Sequence, residues 1–378
     1  MTRLAVLTDA VYPWHAGGKE MRQEQLLSRL ARRGVDVQVY TMKWWSEPGP
    51  VVRNGVTYHA ICPMVPLYRR ERRSIRQAVI FSLCSLRLLR ERFDRLEVDA
   101  IPVLQLFPAK AISLLRRRPL VATWHEFWGK DYWIGYLGGM RGTLAGNLEA
   151  LAAGLADVTI AASDGTRERL TSLGGSDPTR TICVPNGFDG DSVLTLTDVA
   201  SPVAADLVVV GRLLAHKNVD KAIHALALLH QRGERLTLAV IGQGPERRSL
   251  ERLAQDLGLG DFVVFTGALA EHSEVLAAMR DAKALVFPSD REGFGLVALE
   301  AMALGTPVVT TDHPDNFARV LIDHDRNGVL SPAEPARLAE AIQRVLAERV
   351  RMGAAAAKAA VDYDWDRVAD RAVERIYF

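Results

Sequence analysis

Long apolar runs, cysteine and a dominant charge sign are all scarce in this chain, and each scarcity removes a class of protein. No apolar stretch reaches the roughly 18 residues that a membrane-spanning helix needs. Met1 to Thr8 passes directly into a strand pattern instead of a signal peptide. The three cysteines, Cys62, Cys84 and Cys183, are odd in number and scattered. They suggest neither a disulfide framework nor a zinc site, and are expected to be buried reduced thiols of a cytoplasmic protein. Low-complexity sequence is confined to Ala354–Ala357, which suits a helix interior, and no short repeat appears.

What is present fits a two-domain enzyme. The 378 residues exceed what one core usually serves. A hydrophobic content of 48% with 24% charged residues is that of a globular chain. The formal net charge of +2 conceals a division: residues 1–190 hold 26 Lys and Arg against 18 Asp and Glu, and residues 191–378 hold 21 against 27. The basic excess includes Arg69, Arg70, Arg72, Arg73 and Arg76, then Arg87, Arg90, Arg92 and Arg95 within an expected helix, and Arg116 to Arg118. Either it is a solvated helix face, or it draws the protein to an anionic acceptor or membrane surface. No recognition motif accompanies the charge, so nucleic acid is not an expected partner.

Strand and helix patterns alternate, which points to an α/β fold with parallel sheets covered on both faces. The expected strands are Leu4–Thr8, Val35–Tyr40, Val56–Ala60, Ala100–Leu104, Leu120–Thr123, Val158–Ala161 and Thr181–Val184, then Leu207–Val210, Thr237–Ile241, Phe262–Phe265, Ala284–Phe287 and Pro307–Val309. Between Gly190 and Ala204 the pattern lapses into Asp, Ser, Thr and Pro, the expected interdomain linker. Two doubly wound domains follow. Ligands of such sheets bind beyond the carboxyl ends of the strands, which directs attention to the segments there.

The most telling of these is Phe287-Pro-Ser-Asp-Arg-Glu-Gly-Phe-Gly-Leu-Val-Ala-Leu-Glu300. An apolar strand runs through Gly293 and Gly295 into a helix. The turn therefore offers Phe294, Gly295 and Leu296 as amide donors where a helix end carries roughly +0.5 charge. Glu292 precedes that helix and Glu300 lies inside it. Two carboxylates would repel a diphosphate, so they are expected to bind the hydroxyls of a sugar and a ribose. After another strand comes Gly211-Arg-Leu-Leu-Ala-His-Lys217, where Gly211 admits a ligand to the backbone and Arg212 and Lys217 suit a diphosphate. Asn218 and Asp220 read as a helix start, with a side chain as N-cap. Ile241-Gly-Gln-Gly-Pro-Glu246 has two glycines without a third and reads as a structural turn.

The string Glu292-Gly-Phe-Gly-Leu-Val-Ala-Leu-Glu300-Ala-Met-Ala-Leu-Gly-Thr-Pro-Val-Val309 closely resembles the signature of the retaining glycosyltransferases of family four. The Gly211-Arg212 and Lys217 segment, Val184-Pro-Asn-Gly-Phe-Asp189, Asn327-Gly-Val-Leu330 and Tyr363-Asp-Trp-Asp-Arg367 extend the likeness over nearly the whole chain. The resemblance implies the GT-B architecture: two Rossmann-like doubly wound domains facing across a cleft. Residues 1–190 would bind the acceptor and residues 191–362 the nucleotide-sugar donor, with the helix of residues 363–378 crossing back onto the first domain. It gives Glu292 to the donor sugar and Glu300 to the nucleotide ribose, and places Gly267, Ala268 and Leu269 near the base.

In the first domain, Gly17 and Gly18 of Tyr12-Pro-Trp-His-Ala-Gly-Gly-Lys-Glu20 resemble the paired glycines that let this loop approach donor phosphates and acceptor. His15 is either an acceptor-side group or a surface histidine. His125 of Thr123-Trp-His-Glu-Phe-Trp-Gly129 aligns with the histidine that family members place beside the reacting sugar. Glu126, Trp128 and Asp131 are acceptor-side candidates. Trp124, Phe127, Trp128, Tyr132, Trp133 and Tyr136 either stack on an acceptor or pack a lid. The Thr310–Asn316 stretch lacks the family's glycine-rich pattern, so the resemblance assigns no donor-sugar contact to Asp312, His313 or Asn316.

The implied reaction is transfer of a hexosyl group from a UDP- or GDP-sugar to a hydroxyl of a lipid, saccharide or natural product, with retention and with no metal or other cofactor. His125, Arg212, Lys217 and Glu292 would carry the catalysis. The competing readings are a GT-B sugar-nucleotide epimerase and a catalytically silent binding partner. Frequent Arg and Ala point to a GC-rich bacterial gene. A cytoplasmic location, with peripheral contact at the inner membrane face, is the matching expectation, and oligomeric state is left open.

Overall fold

The computed structural model describes residues 2–69 and 72–377. The chain forms two compact units, one of Met1–Asn186 with Trp365–Phe378 and one of Gly187–Asp364.

The first unit contains β1 (Arg3–Leu7), β2 (Asp36–Lys43), β3 (Val51–Arg53), β4 (Val56–Pro63), β5 (Tyr68–Arg69), β6 (Arg72–Arg73), β7 (Arg95–Asp99), β8 (Leu120–Trp124), β9 (Val158–Ala161) and β10 (Thr181–Cys183). Its main sheet runs β10-β9-β8-β7-β1-β2-β4-β3, and β5 with β6 forms a separate short hairpin. Every pair in the main sheet is parallel except β3 with β4. Side chains alternate along β1, so Leu4 and Val6 enter one apolar layer and Ala5 and Leu7 the other. The first layer contains Leu26, Leu27 and Leu30 of the helix Gly18–Arg32, and Trp365, Val368 and Ala369 of the terminal helix. Asp366 and Asp370 pair there with Arg29 and Arg33.

The second unit contains β11 (Leu207–Val210), β12 (Leu238–Ile241), β13 (Val263–Gly267), β14 (Ala284–Phe287), β15 (Val308–Thr311) and β16 (Gly328–Ser331). All pairs are parallel, in the order β13-β12-β11-β14-β15-β16. Counting parallel strands along the chain, both sheets begin third-second-first-fourth-fifth. Each therefore reverses direction beside its first strand, the crevice where doubly wound folds hold ligands.

Three expectations need correction. The strand expected at Ala100–Leu104 lies instead at β7. Its Glu97 is buried and accepts a hydrogen bond from Thr123 Oγ1 at 2.7 Å, so a carboxylate interrupts the apolar run that marks a buried strand. Pro102, lacking an N–H, cannot serve a central strand, and Val103–Gln105 forms a 3-10 turn. The expected linker is folded: Gly190–Leu194 is helical, Thr195–Asp198 is a 3-10 turn, and Leu196 is buried in the core of the second unit. Finally, Arg87 and Arg90 lie in a 3-10 turn, Ser85–Arg90, that follows the helix Ile75–Cys84, whereas Arg95 opens β7. Arg70 of the basic run lies outside the described residues.

Candidate functional site

In the second unit the sheet reverses between β11 and β14, and the loops that follow these two strands are bonded to each other. Asn218 Nδ2 donates to Pro288 O at 2.9 Å, and Asp290 N–H donates to His216 O at 2.9 Å. Asn218 stands at the N-cap position with φ 51° but makes no side-chain cap bond. Its amide fastens the neighbouring loop instead, which corrects the capping role expected from its position. Lys217 Nζ lies 2.5 Å from Glu292 Oε1, both side chains being mostly buried, and 5.4 Å from the Phe287 ring centre. Arg212 is exposed and forms no ion pair among the described residues. The Gly-Gln-Gly turn is in contact with the same loop. A Cβ on Gly242 would fall 1.9 Å from Gly211 O, and one on Gly244 2.2 Å from Leu213 O.

The helix Leu296–Ala303 starts where β14 directs it. Its first helical bond runs from Leu299 N–H to Gly295 O at 3.1 Å, which leaves the N–H groups of Leu296, Val297 and Ala298 ahead of the ladder. Gly295 has φ +89°, and a Cβ there would fall 2.3 Å from Ala318 Cβ, so both backbone and space require glycine. Phe294 is buried, its ring 6.0 Å from Tyr363, so the backbone and not the ring is what this residue can offer a ligand. Glu292 is fixed through its main chain: its N–H donates to Asp315 O at 3.1 Å and its O accepts from Phe317 N–H at 3.1 Å. Asn316 is wholly buried. It donates to Thr310 and Thr311 and accepts from Ala318 N–H, a structural part.

Glu300 Oε1 lies 3.1 Å from His272 Nε2, and this hydrogen bond raises the histidine pKa. Sequence reasoning missed His272, which begins a helix 28 residues upstream and carries no local signal of the contact. Leu269 is half-buried against the apolar layer that holds Phe294, and Ala268 is exposed.

The first unit reverses between β1 and β7, and a buried ionic network occupies that place. Asp9 and Asp99 are fully buried, and Lys19 Nζ lies 2.7 Å from a carboxylate oxygen of each. Arg73 NH1 lies 2.7 Å from the other oxygen of Asp9. Burial works against the Lys19 charge, but Asp9 and Asp99 outweigh it and raise its pKa. Asp99 also faces His125, with Nε2 3.6 Å from Oδ1 and without a hydrogen bond. Burial dominates at His125 and pushes its pKa down to about 4, so the imidazole is neutral near pH 7. Glu20 is buried, which raises its pKa, and its Oε1 lies 3.4 Å from His15 Nδ1. A Cβ on Gly17 would fall 2.5 Å from Glu20 Oε2, whereas Gly18 faces open space.

Asp9, Lys19, Glu20, Arg73 and Asp99 were not among the residues assigned from sequence. Asp9 and Asp99 stand at the carboxyl ends of adjacent strands, and that placement was the available signal. The aromatic group divides in two. Trp124 and Phe127 are core residues, whereas Trp128, Tyr132, Trp133 and Tyr136 cluster with ring centres 4.6 to 6.2 Å apart. Trp128 Nε1 donates to Glu126 Oε2 at 2.9 Å, and the buried Glu149 accepts from Trp128 and Gly129 N–H. Asp131 is exposed in the first turn of the helix Gly129–Leu137.

Two doubly wound sheets, one bearing a glutamate pair around a glycine-started helix with basic residues on the loop beside it, define the GT-B class. The family model for glycosyl transferases group 1 matches residues 204–360, and that for glycosyltransferase family 4 matches residues 16–192. This chain belongs to that family of glycosyltransferases. It is 32% identical to a D-inositol 3-phosphate glycosyltransferase of Geodermatophilus obscurus, over 95% of this chain and 84% of that one. A protein of the same description from Kineococcus radiotolerans is 31% identical over 95% and 90%. One from Frankia alni is 35% identical, over 62% of this chain and 61% of its own length. Sucrose-phosphate synthase of Thermosynechococcus elongatus superposes with a TM-score of 0.77 at 21% identity, covering 100% and 98% of the two chains. Anabaena HepE, solved with UDP and glucose, gives 0.71 at 20%, covering all of both. Likeness at these identities establishes the fold.

Proposed function

We propose that the protein moves a hexosyl group from a nucleoside diphosphate sugar to an acceptor hydroxyl with retention at the anomeric carbon and without a metal. The observation that carries this reading is the assembly in the second unit, where Arg212, the Lys217–Glu292 pair and the helix start at Gly295 occupy one reversal of the sheet. UDP in HepE and the transferase names of the relatives support a nucleotide-sugar donor. The diphosphate takes the free N–H groups and the two cations, Glu292 takes sugar hydroxyls and Glu300 the ribose.

The anomeric C–O bond to the phosphate breaks, the acceptor oxygen bonds to that carbon, and the acceptor proton passes to a phosphate oxygen on the same face. Arg212, Lys217 and the helix start stabilise the charge that develops on the departing diphosphate. Losing one such donor costs on the order of 3 kcal/mol, about a hundredfold in rate. In the first unit Lys19 and Arg73 are already paired with buried carboxylates, whereas His125 Nε2, Glu20 Oε1 and His15 Nδ1 lack hydrogen-bond partners. Those three atoms suit an acceptor's hydroxyl groups.

A thermal-shift screen of UDP- and GDP-hexoses identifies the donor, since a ligand at 100 times its Kd adds roughly 2.7 kcal/mol. Acceptor trials with that donor then test transfer. Acceptor-dependent release of nucleoside diphosphate, an unchanged anomeric configuration by NMR and full activity with chelator support the reading. An isomeric sugar nucleotide formed without acceptor replaces it with epimerisation, and activity restored only by added magnesium overturns the metal-free account.

A further inference from the structure

The helix Ile75–Cys84 buries one face and leaves an apolar one exposed. Gln77, Ala78, Phe81 and Ser82 face inward and are buried. On the opposite side Ile75, Val79 and Leu83 recur every four residues, and Leu86 continues their line into the following 3-10 turn. They are 68%, 42%, 64% and 42% exposed. An ordinary surface helix puts charge on that face. Tyr68, half exposed, lies just before the helix, with the Arg73 guanidinium 5.4 Å from its ring centre.

The charges around the stripe are predominantly positive. Arg76, Arg87, Arg90 and Arg92 are exposed, and Glu91 is the one acidic residue between positions 74 and 93. Arg116 reaches this edge, donating to Glu91 O at 2.9 Å, and the two residues before it in the chain, Leu114 and Leu115, are exposed. Contiguous exposed apolar surface of this kind marks an interaction site. A second copy of the chain docked face to face would set arginines against arginines.

We propose that this face seats the protein on an anionic lipid bilayer. The apolar stripe enters the acyl boundary, the arginines meet lipid phosphates, and Tyr68 sits at the headgroup level. Among the described residues no helix is long and apolar enough to cross a membrane, so the contact is one of lying on the surface. Each arginine near the headgroups contributes about fivefold in partitioning. The proposal is independent of the donor reading.

Co-sedimentation of the full chain with vesicles tests it. Vesicles of phosphatidylglycerol and phosphatidylcholine in equal parts should carry the protein down, pure phosphatidylcholine should not, and added salt should release it. Val79→Glu with Leu83→Glu should abolish sedimentation. Arg76→Ala with Arg90→Ala should weaken it about 25-fold. All four side chains are exposed, and thermal melts confirm that the variants fold. Absence of binding to the anionic vesicles at low salt, or equal binding by the glutamate variant, overturns the proposal. So does a concentration-dependent dimer in light scattering that the same glutamates abolish, because the face would then be a self-association surface.

Discussion

Replacing Glu292 by Gln should tighten the binding of a nucleoside diphosphate while slowing the transfer reaction. Lys217 Nζ lies 2.5 Å from Glu292 Oε1, with 19% and 11% of the two side chains exposed, so a diphosphate must compete with this carboxylate for the ammonium. Two unit charges about 4 Å apart at an effective dielectric constant near 20 interact by roughly 4 kcal/mol. Solvent and the strength of the amide that replaces the carboxylate reduce the difference to about 1–2 kcal/mol, or about five- to thirtyfold in Kd. Lys217→Ala should weaken the same ligand. The double variant should bind no better than Lys217→Ala, because the glutamine change acts through the lysine. Calorimetric titration of UDP and GDP into the four proteins measures this, beside turnover with the nucleotide sugar, which Glu292→Gln should lower by at least about tenfold. If Glu292→Gln weakens the nucleoside diphosphate, or leaves its affinity unchanged, Lys217 does not hold the diphosphate.

Glu300→Ala should weaken nucleoside diphosphate binding by about tenfold, the loss of one charge-assisted hydrogen bond to a hydroxyl, and Glu292→Ala should not; equal calorimetric affinities of the two variants would contradict the assignment. Glu300 raises the His272 pKa, so their pairing stabilises fully below the ordinary histidine value and fades as pH rises through the raised one. The stability gap between wild type and His272→Ala in thermal unfolding should therefore narrow with rising pH. His125, held neutral by burial down to about pH 4, has the opposite sense: the unfolded chain takes a proton below about pH 6.5, and folding loses about 1.4 kcal/mol per unit between those values. Denaturant unfolding of wild type and His125→Asn at pH 7 and pH 5 should differ by about 2 kcal/mol in acid sensitivity, and an equal decline would place His125 in water. Gly295→Ala should cost about 2–4 kcal/mol, from its left-handed backbone and the contact with Ala318, and a loss under about 0.5 kcal/mol would mean that the turn relaxes.

The second unit was the more legible in sequence, because its signals are local. β11 and β14 are uninterrupted apolar runs, and Glu292, Gly295 and Glu300 all fall in the one loop and helix that follow β14. The first unit hides its chemistry in residues distant along the chain. Lys19, Asp99 and His125 come from a helix start and the ends of two strands, and none lies in a motif with another. β7 was displaced in the sequence reading for the same reason, since Glu97 and Asp99 give a buried strand a polar pattern that only tertiary partners offset. The segment of residues 190–204 misled in the opposite way. Its polar composition imitates a linker, but Leu196 anchors it, and Arg280 donates to the Leu196 and Val199 carbonyls.

The two sheet reversals share a topology and differ in electrostatics, and that difference bears on which of them receives the diphosphate. In the first unit, drawing Lys19 toward an anion would leave Asp9 and Asp99, both fully buried, short of their shared cation. Breaking such a pair ordinarily costs about 3–5 kcal/mol. In the second unit, drawing Lys217 away exposes one carboxylate, Glu292, that retains some contact with solvent and can turn to a sugar hydroxyl. Arg212 needs no release at all, and the unpaired N–H groups ahead of the Leu296–Ala303 ladder are already directed outward from the helix end. The same reasoning separates the neutral His125 from the anion. An uncharged imidazole beside Asp99 offers a hydrogen bond and no charge, which fits a hydroxyl and does little for a phosphate. The proposed division of donor and acceptor between the two units thus rests on which cations each can release, and the Glu292→Gln titration tests the half of that argument on which the chemistry depends.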